Sequence, residues 1–186
     1  MAEKLDMIDV LMHDHQEVEE MFTELETGAT QLERRRELTD QVIVELVRHS
    51  VAEELYLYPT TREVLPGGDA LADREIEEHA AAERTMKELD GMDPANPAFE
   101  GLLAQLITDI RGHIADEETD LFPRLRTACG EQDLVELGEK IQRVKKVAPT
   151  RPHPAAPDTP PLNQLGGPVL GLVDRVRDAL SGRGRD

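Results

Sequence analysis

The chain is short of the residues that build disulfide scaffolds, β-sandwiches, membrane spans and polyanion-binding surfaces. Among its 186 residues, Cys129 is the single cysteine, tryptophan is missing, and aromatics make up 3%. One cysteine excludes an internal disulfide and any cysteine cluster for structural zinc or an iron-sulfur site. With so few aromatics beside 39% hydrophobic residues, the core falls to Leu, Val, Ile, Met and Ala, which suits packed helices better than sheets. Basic residues are also scarce, 21 against 39 acidic, for a net charge of −18. Such a polyanion repels nucleic-acid phosphates and anionic lipid, so neither is expected as a partner. No apolar run approaches membrane-spanning length, and the opening MAEKLDMIDV lacks the basic and apolar blocks of a signal peptide. The expected compartment is the cytoplasm.

What is present is helical periodicity. Four stretches carry apolar residues at three- and four-residue spacing, and each contains one histidine where another apolar residue is expected. They run Ile8, Leu11, His15, Val18, Phe22, Leu25; then Leu38, Val42, Leu46, His49, Glu53, Tyr56; then Ala72, Ile76, His79, Glu83, Met86; and Phe99, Leu103, Leu106, Ile110, His113, Glu117, Leu121. Breaks are expected at Thr27-Gly28, at Pro59 and Pro66-Gly67-Gly68, and at Gly91 with Pro94 and Pro97, while Pro123 should stop or kink the fourth helix. Connections this short predict an all-α, up-down-up-down antiparallel four-helix bundle. A fifth amphipathic stretch, about 131–147, should pack outside it. The predicted organisation is therefore a bundle over 1–147, followed over 148–186 by a Pro-rich linker and a short amphipathic segment, 169–180. That segment either docks on the bundle, offers a surface to a protein partner, or is disordered.

The histidines are placed by an internal repeat. His15 and His49 are 34 residues apart, as are His79 and His113, and the first pair maps on the second with a shift of 64. HSVAEELYLYP from His49 aligns without a gap with HIADEETDLFP from His113, matching Glu53 to Glu117, Glu54 to Glu118 and Pro59 to Pro123. A duplicated helix pair implies a pseudo-two-fold axis, with equivalent side chains facing one another. Histidine followed by Glu four residues on is a weak signal in so acidic a chain; even His13 has its Glu17. Position strengthens it, because His49 with Glu53, His79 with Glu83 and His113 with Glu117 lie on the inward stripes. Four residues turn a helix by about 400°, leaving both side chains on one face roughly 6 Å apart along the axis.

One inward histidine is best read as a hydrogen-bonded core imidazole. Four at matched depth, three with a Glu beneath, point to metal, because several buried carboxylates without cations are too costly to leave ionised. Four imidazoles and three carboxylates exceed the needs of one tetrahedral zinc, and the mixture suits iron, with manganese or zinc as substitutes. The ferritin-like Glu-x-x-His pattern is not met, since Met12, Leu46, Ile76 and Ile110 stand three before the histidines.

One His from the first helix, then HxxxE, His and HxxxE from the next three, resembles the hemerythrin-like (HHE) family over about residues 8–123, and the tail with RPHPAAPDTPP resembles that of actinobacterial members. The resemblance implies a non-haem centre of two iron ions, oxo- or hydroxo-bridged, held by His15, His49, Glu53, His79, His113 and Glu117, with Glu53 and Glu117 bridging. Oxygen-carrying members have HxxxH on the third helix, where this chain has His79 and Glu83. They also use a carboxylate five beyond the last His, which makes Glu118 the lesser alternative to Glu117. Glu83 is expected as a terminal ligand, or else as a carboxylate hydrogen-bonded to one. Tyr56, within about 20° of His49 on an α-helix, reads either as a core tyrosine or as a phenolate ligand or donor to bound oxidant. Tyr58 should point away, and Glu19, His13 and His153 should lie outside the centre.

Anionic ligands favour ferric iron, so Glu83 and Tyr56 are candidate catalytic residues of a centre that handles O2, H2O2 or NO as small-molecule partners, in oxidative or nitrosative stress. A catalase-like or nitric-oxide-consuming enzyme is one class. An O2, redox or iron sensor or oxygen-binding module without turnover is the second, and storage a third.

Overall fold

The computed structural model describes residues 5–28 and 30–153, and the segment 169–180 lies outside them. Seven α-helices follow in order: α1 Met7–Thr27, α2 Leu32–Ala52, α3 Tyr58–Val64, α4 Gly68–Leu89, α5 Phe99–Asp116, α6 Phe122–Ala128 and α7 Glu131–Lys145. Among the described residues there is no strand. The expected bundle is there, with α1, α2 running on into α3, α4, and α5 running on into α6 as its four rods.

Local chemistry sets the ends. Asp6 caps α1 by accepting from the Asp9 N–H at 2.9 Å, and Arg126 reaches back to Asp6 and Asp9 at 2.6 Å each, tying the start of the first rod to the end of the fourth. Between α3 and α4 the chain reverses at Gly67, whose φ of +74° favours glycine. At Gly68 a Cβ would stand 2.1 Å from the Thr61 carbonyl oxygen, so the two helices meet at a distance only glycine permits.

Pro59 does not end its helix, contrary to expectation, and Pro123, expected to stop or kink the fourth helix, does not stop it. Each is preceded by a five-residue π-turn, Glu53–Leu57 and Glu117–Leu121, in which Tyr58 N–H bonds to the Glu53 carbonyl and Phe122 N–H to that of Glu117. A proline ring collides with the carbonyl four residues before it, and the widened turn removes that collision while the backbone stays helical. The two turns occupy matching places in the repeat.

The fifth helix, α7, packs across α1 and α2. Gly138 lets it do so closely, since a Cβ there would stand 2.7 Å from the Leu5 carbonyl oxygen. Residues 148–153, expected to open a linker, are packed down: Ala148, Pro149, Thr150 and Pro152 are buried, and Arg151 pairs with Asp90 at 2.9 Å. This strap is tied by polar contacts, Arg151 to Asp90 and the His153 N–H to Glu83, where composition alone suggested solvent.

The core is divided. One apolar cluster gathers Phe22, Val42, Leu46, Met86, Phe99, Leu106 and their neighbours; the other gathers Ile8, Leu11, Leu57, Tyr58, Phe122, Leu125 and Ile141. Between them lies a buried layer of His15, His49, Glu53, Glu75, His79, His113 and Glu117, none more than 6% exposed.

Candidate metal centre

The four imidazoles meet in pairs. His15 Nε2 lies 3.2 Å from His49 Nε2, and His79 Nε2 lies 3.1 Å from His113 Nε2, so all four present the same nitrogen to the interior. Glu53 spans the pairs, with Oε1 at 3.0 Å from His49 and Oε2 at 3.2 Å from His79. Glu117 does likewise from the opposite rod, its Oε2 being 3.4 Å from His15 and 3.7 Å from His113.

The outward nitrogens are tied down with the same symmetry. His15 Nδ1 meets Glu118 at 2.9 Å and His79 Nδ1 meets Glu54 at 3.4 Å; His49 Nδ1 meets Asp14 at 3.2 Å and His113 Nδ1 meets Glu78 at 3.0 Å. Glu54 and Glu118 are related by the shift of 64, as are Asp14 and Glu78. A carboxylate on Nδ1 holds a proton there and turns Nε2 inward, where it becomes a lone-pair donor once it gives up its own proton to a bound cation. Lys145 of α7 holds Asp14 in turn, at 2.5 Å.

Two residues enter the layer that sequence reasoning left out. Glu75, 1% exposed, stands four before His79; its Oε1 takes an Arg74 N–H at 2.7 Å, and its Oε2 lies 3.0 Å from His113 Nδ1. The strict three-four run on α4 is Ala72, Glu75, His79, Ala82, Met86, and preferring the apolar Ile76 hid it. The second is Tyr58. Its hydroxyl is 3.0 Å from His79 Nε2 and within 3.4 Å of Glu53 Oε2 and Glu117 Oε1, with 1% of the side chain exposed. An unbroken α-helix directs Tyr56 inward and Tyr58 away; the π-turn advances the register, so Tyr58 takes the inner place and Tyr56 is half-buried against the apolar cluster of Leu57 and Phe122. Its repeat counterpart is Phe122, which stacks on His15 at 5.7 Å and 10°.

Glu83, the other expected ligand, lies outside this layer. Its Oε1 accepts the His153 N–H at 2.7 Å, so it anchors the strap, because the inward stripe of α4 passes through Ala82 and Met86. Glu19 pairs with Arg111, and His13 is exposed beside Glu17.

Charge balance in the layer is internal. Burial disfavours a charged His49, yet Glu53 and Asp14 outweigh it and hold the imidazole up to about 10. Burial would also raise Glu53, but His49 and His79 keep it well below the usual carboxylate range. Burial and the carboxylates Glu53, Glu117 and Glu75 push the Tyr58 phenol well above its usual range, so it remains a donor. Even so, Glu53 Oε1, Glu75 Oε2 and Glu117 Oε2 are buried without a hydrogen bond. Three buried carboxylate oxygens that face imidazole nitrogens without forming a hydrogen bond, beside four rings that can exchange a proton for a metal, are the donor set of a cation site. Ligand atoms within 4.8 Å of one another group as His15, His49, Glu53 and Glu117; as Glu53, His79 and His113; and as Glu75, His113 and Glu117.

Comparison with known proteins agrees with this fold. An uncharacterized hemerythrin-like protein of Schizosaccharomyces pombe is 27% identical over 173 residues, covering 92% of this chain and 85% of that one. A DNA nickase of Nostoc sp. is 27% identical over 138 residues, of which this chain spans 38% of the relative's length. The crystal structure of a hemerythrin HHE cation binding domain-containing protein from Mycobacterium kansasii shares the fold, with a TM-score of 0.66 at 22% identity, over 76% of this chain and 86% of that one. The family model of the hemerythrin HHE cation binding domain matches residues 6–125, a span that contains every inward histidine and carboxylate of the buried layer, and the chain belongs to that family.

Proposed function

We propose that the buried layer holds two iron ions, and that the protein handles small oxidants there. His15 and His49 would serve one ion and His79 and His113 the other, with Glu53 and Glu117 shared and Glu75 added on the His113 side. The observation that carries this is the set of three orphaned carboxylate oxygens within ligand distance of four inward imidazoles. Bound there, an iron pair supplies redox equivalents to O2, H2O2 or NO.

The chain's own residues do the rest. Asp14, Glu54, Glu78 and Glu118 hold the four rings in the orientation that aims Nε2 inward. Tyr58 keeps its proton and presents it between Glu53 and Glu117, where it can donate a hydrogen bond or a proton to a guest. Beside the imidazoles is a small cavity of about 10 Å³, bordered by Asp14, Val18, Leu46, Ser50, Ile110 and Ile114, which admits about one water-sized molecule. That size favours diatomic or similarly small guests over organic substrates.

The deciding experiment is metal analysis of aerobically purified protein together with its optical spectrum and peroxide turnover. Two irons per chain and turnover support the enzyme reading. Two irons without turnover of peroxide or NO favour sensing, a reading supported by the Glu83 to His153 contact, which lies one helical turn from His79 and anchors the strap. A folded chain that takes up no iron anaerobically sinks both.

A further inference from the structure

The pseudo-two-fold relates α1 and α2 to α4 and α5, so a feature over one pair has a counterpart over the other. Over α4 and α5 lies an open groove of about 470 Å³, whose lining includes Ala82, Asp109, Ile110, Gly112, His79 and His113. Three of its lining residues, His79, His113 and Ile110, also line the small cavity of about 10 Å³ beside the imidazoles. Over α1 and α2 the equivalent positions are filled. Gly112 corresponds to Arg48 and Ala82 to Val18, and Arg48 lies on Glu45 at 2.9 Å. Lys145 of α7 reaches Asp14 at 2.5 Å and Glu45 at 3.9 Å, the counterparts of Glu78 and Asp109, so α7 closes that face. At Gly112 an added Cβ meets no heavy atom within 4 Å.

We propose that the groove between α4 and α5 is the entrance through which a neutral small molecule reaches the centre, with Ile110 as the inner barrier and Gly112 keeping the mouth open. This deepens the functional reading above and rests on it for the identity of the guest. The rim carries Glu78, Asp109 and Asp116; Arg74 offsets part of this charge at 4.0 Å from Glu78 and 3.8 Å from Asp116, and the acidic excess that is left disfavours anions while neutral guests meet no opposing field. The inner cavity sets the size limit at about one water-sized molecule. Among the described residues, α7 and Arg48 cover the other face, where only the narrow cavity reaches Asp14 and Ser50.

The test uses three variants of the full chain. Gly112→Phe should fill the mouth, Ile110→Ala should lower the barrier, and Gly101→Phe, on the same helix at a position equally open, is the control. In stopped-flow measurements of nitric oxide binding to the reduced, iron-loaded protein, Gly112→Phe should slow association by about tenfold at unchanged iron content, and Ile110→Ala should speed it. Metal-free protein gives a second readout: diethyl pyrocarbonate should acylate His79 and His113 ahead of His15 and His49, and Gly112→Phe should remove that preference. Wild-type association and labelling in a folded Gly112→Phe protein would overturn the proposal. If iron cannot be loaded, the labelling pattern alone decides, and the loading failure counts against the iron reading instead of the entrance.

Discussion

At the residue scale, the two tyrosines separate what spacing says from what packing does. Tyr58 touches the centre and Tyr56 does not, so Tyr58→Phe should keep its metal content yet lower peroxide turnover by roughly 100-fold, as loss of a positioned proton donor does. Tyr56→Phe should leave both unchanged. Phenylalanine is compatible with this place, as Phe122 shows at the symmetry-related position. His49 supplies a second prediction. Its folded value of about 10 lies above its ordinary 6.5. In metal-free protein its ion pair with Glu53 and Asp14 therefore stabilises fully below about 6.5, and that stability is lost as pH rises through about 10. Chemical denaturation of metal-free protein at increasing pH should show the midpoint falling across that window, and a flat profile would contradict it. His15, His49, Glu53, His79, His113 and Glu117 were legible from stripes and repeat. Glu75 was legible in principle, four before His79, and was masked by the competing apolar Ile76.

At the scale of elements, the π-turns decide the site. Each begins at an inward Glu and precedes a proline, in HxxxE followed six residues on by Pro, so the signal stands twice in the sequence. Its consequence, a shift that swaps the faces of residues 56 and 58, depends on the hydrogen-bond pattern and not on composition. Close helix contact is likewise a matter of single atoms. Gly138→Ala should destabilise the protein by about 1–3 kcal/mol, because a methyl group has no room beside the Leu5 carbonyl and α7 must move off α1. Thermal or urea denaturation checks this, and the displacement should also free Lys145 from Asp14. The strap over 148–153 could not be read in advance, since its Pro, Ala and Thr residues contribute burial only against a surface already formed.

At the scale of the molecule, a polar layer divides two apolar cores, and its charges are balanced by one another until metal joins them. Metal should therefore stabilise the fold by mass action, by about 4 kcal/mol when free metal exceeds its dissociation constant a thousandfold. Denaturation with and without a chelator measures this; equal midpoints would argue against a buried cation. The sequence by itself determined the helical bundle, its two-fold repeat and the six histidines and carboxylates at its centre, because helical period and duplication are properties of order along the chain. Only the tertiary structure decided that Tyr58 and Glu75 join them, that Glu83 leaves to hold the strap, and that one face is closed while the other stays open. Those outcomes depend on which helix register and which neighbouring surface each side chain meets, and no local pattern contains that information.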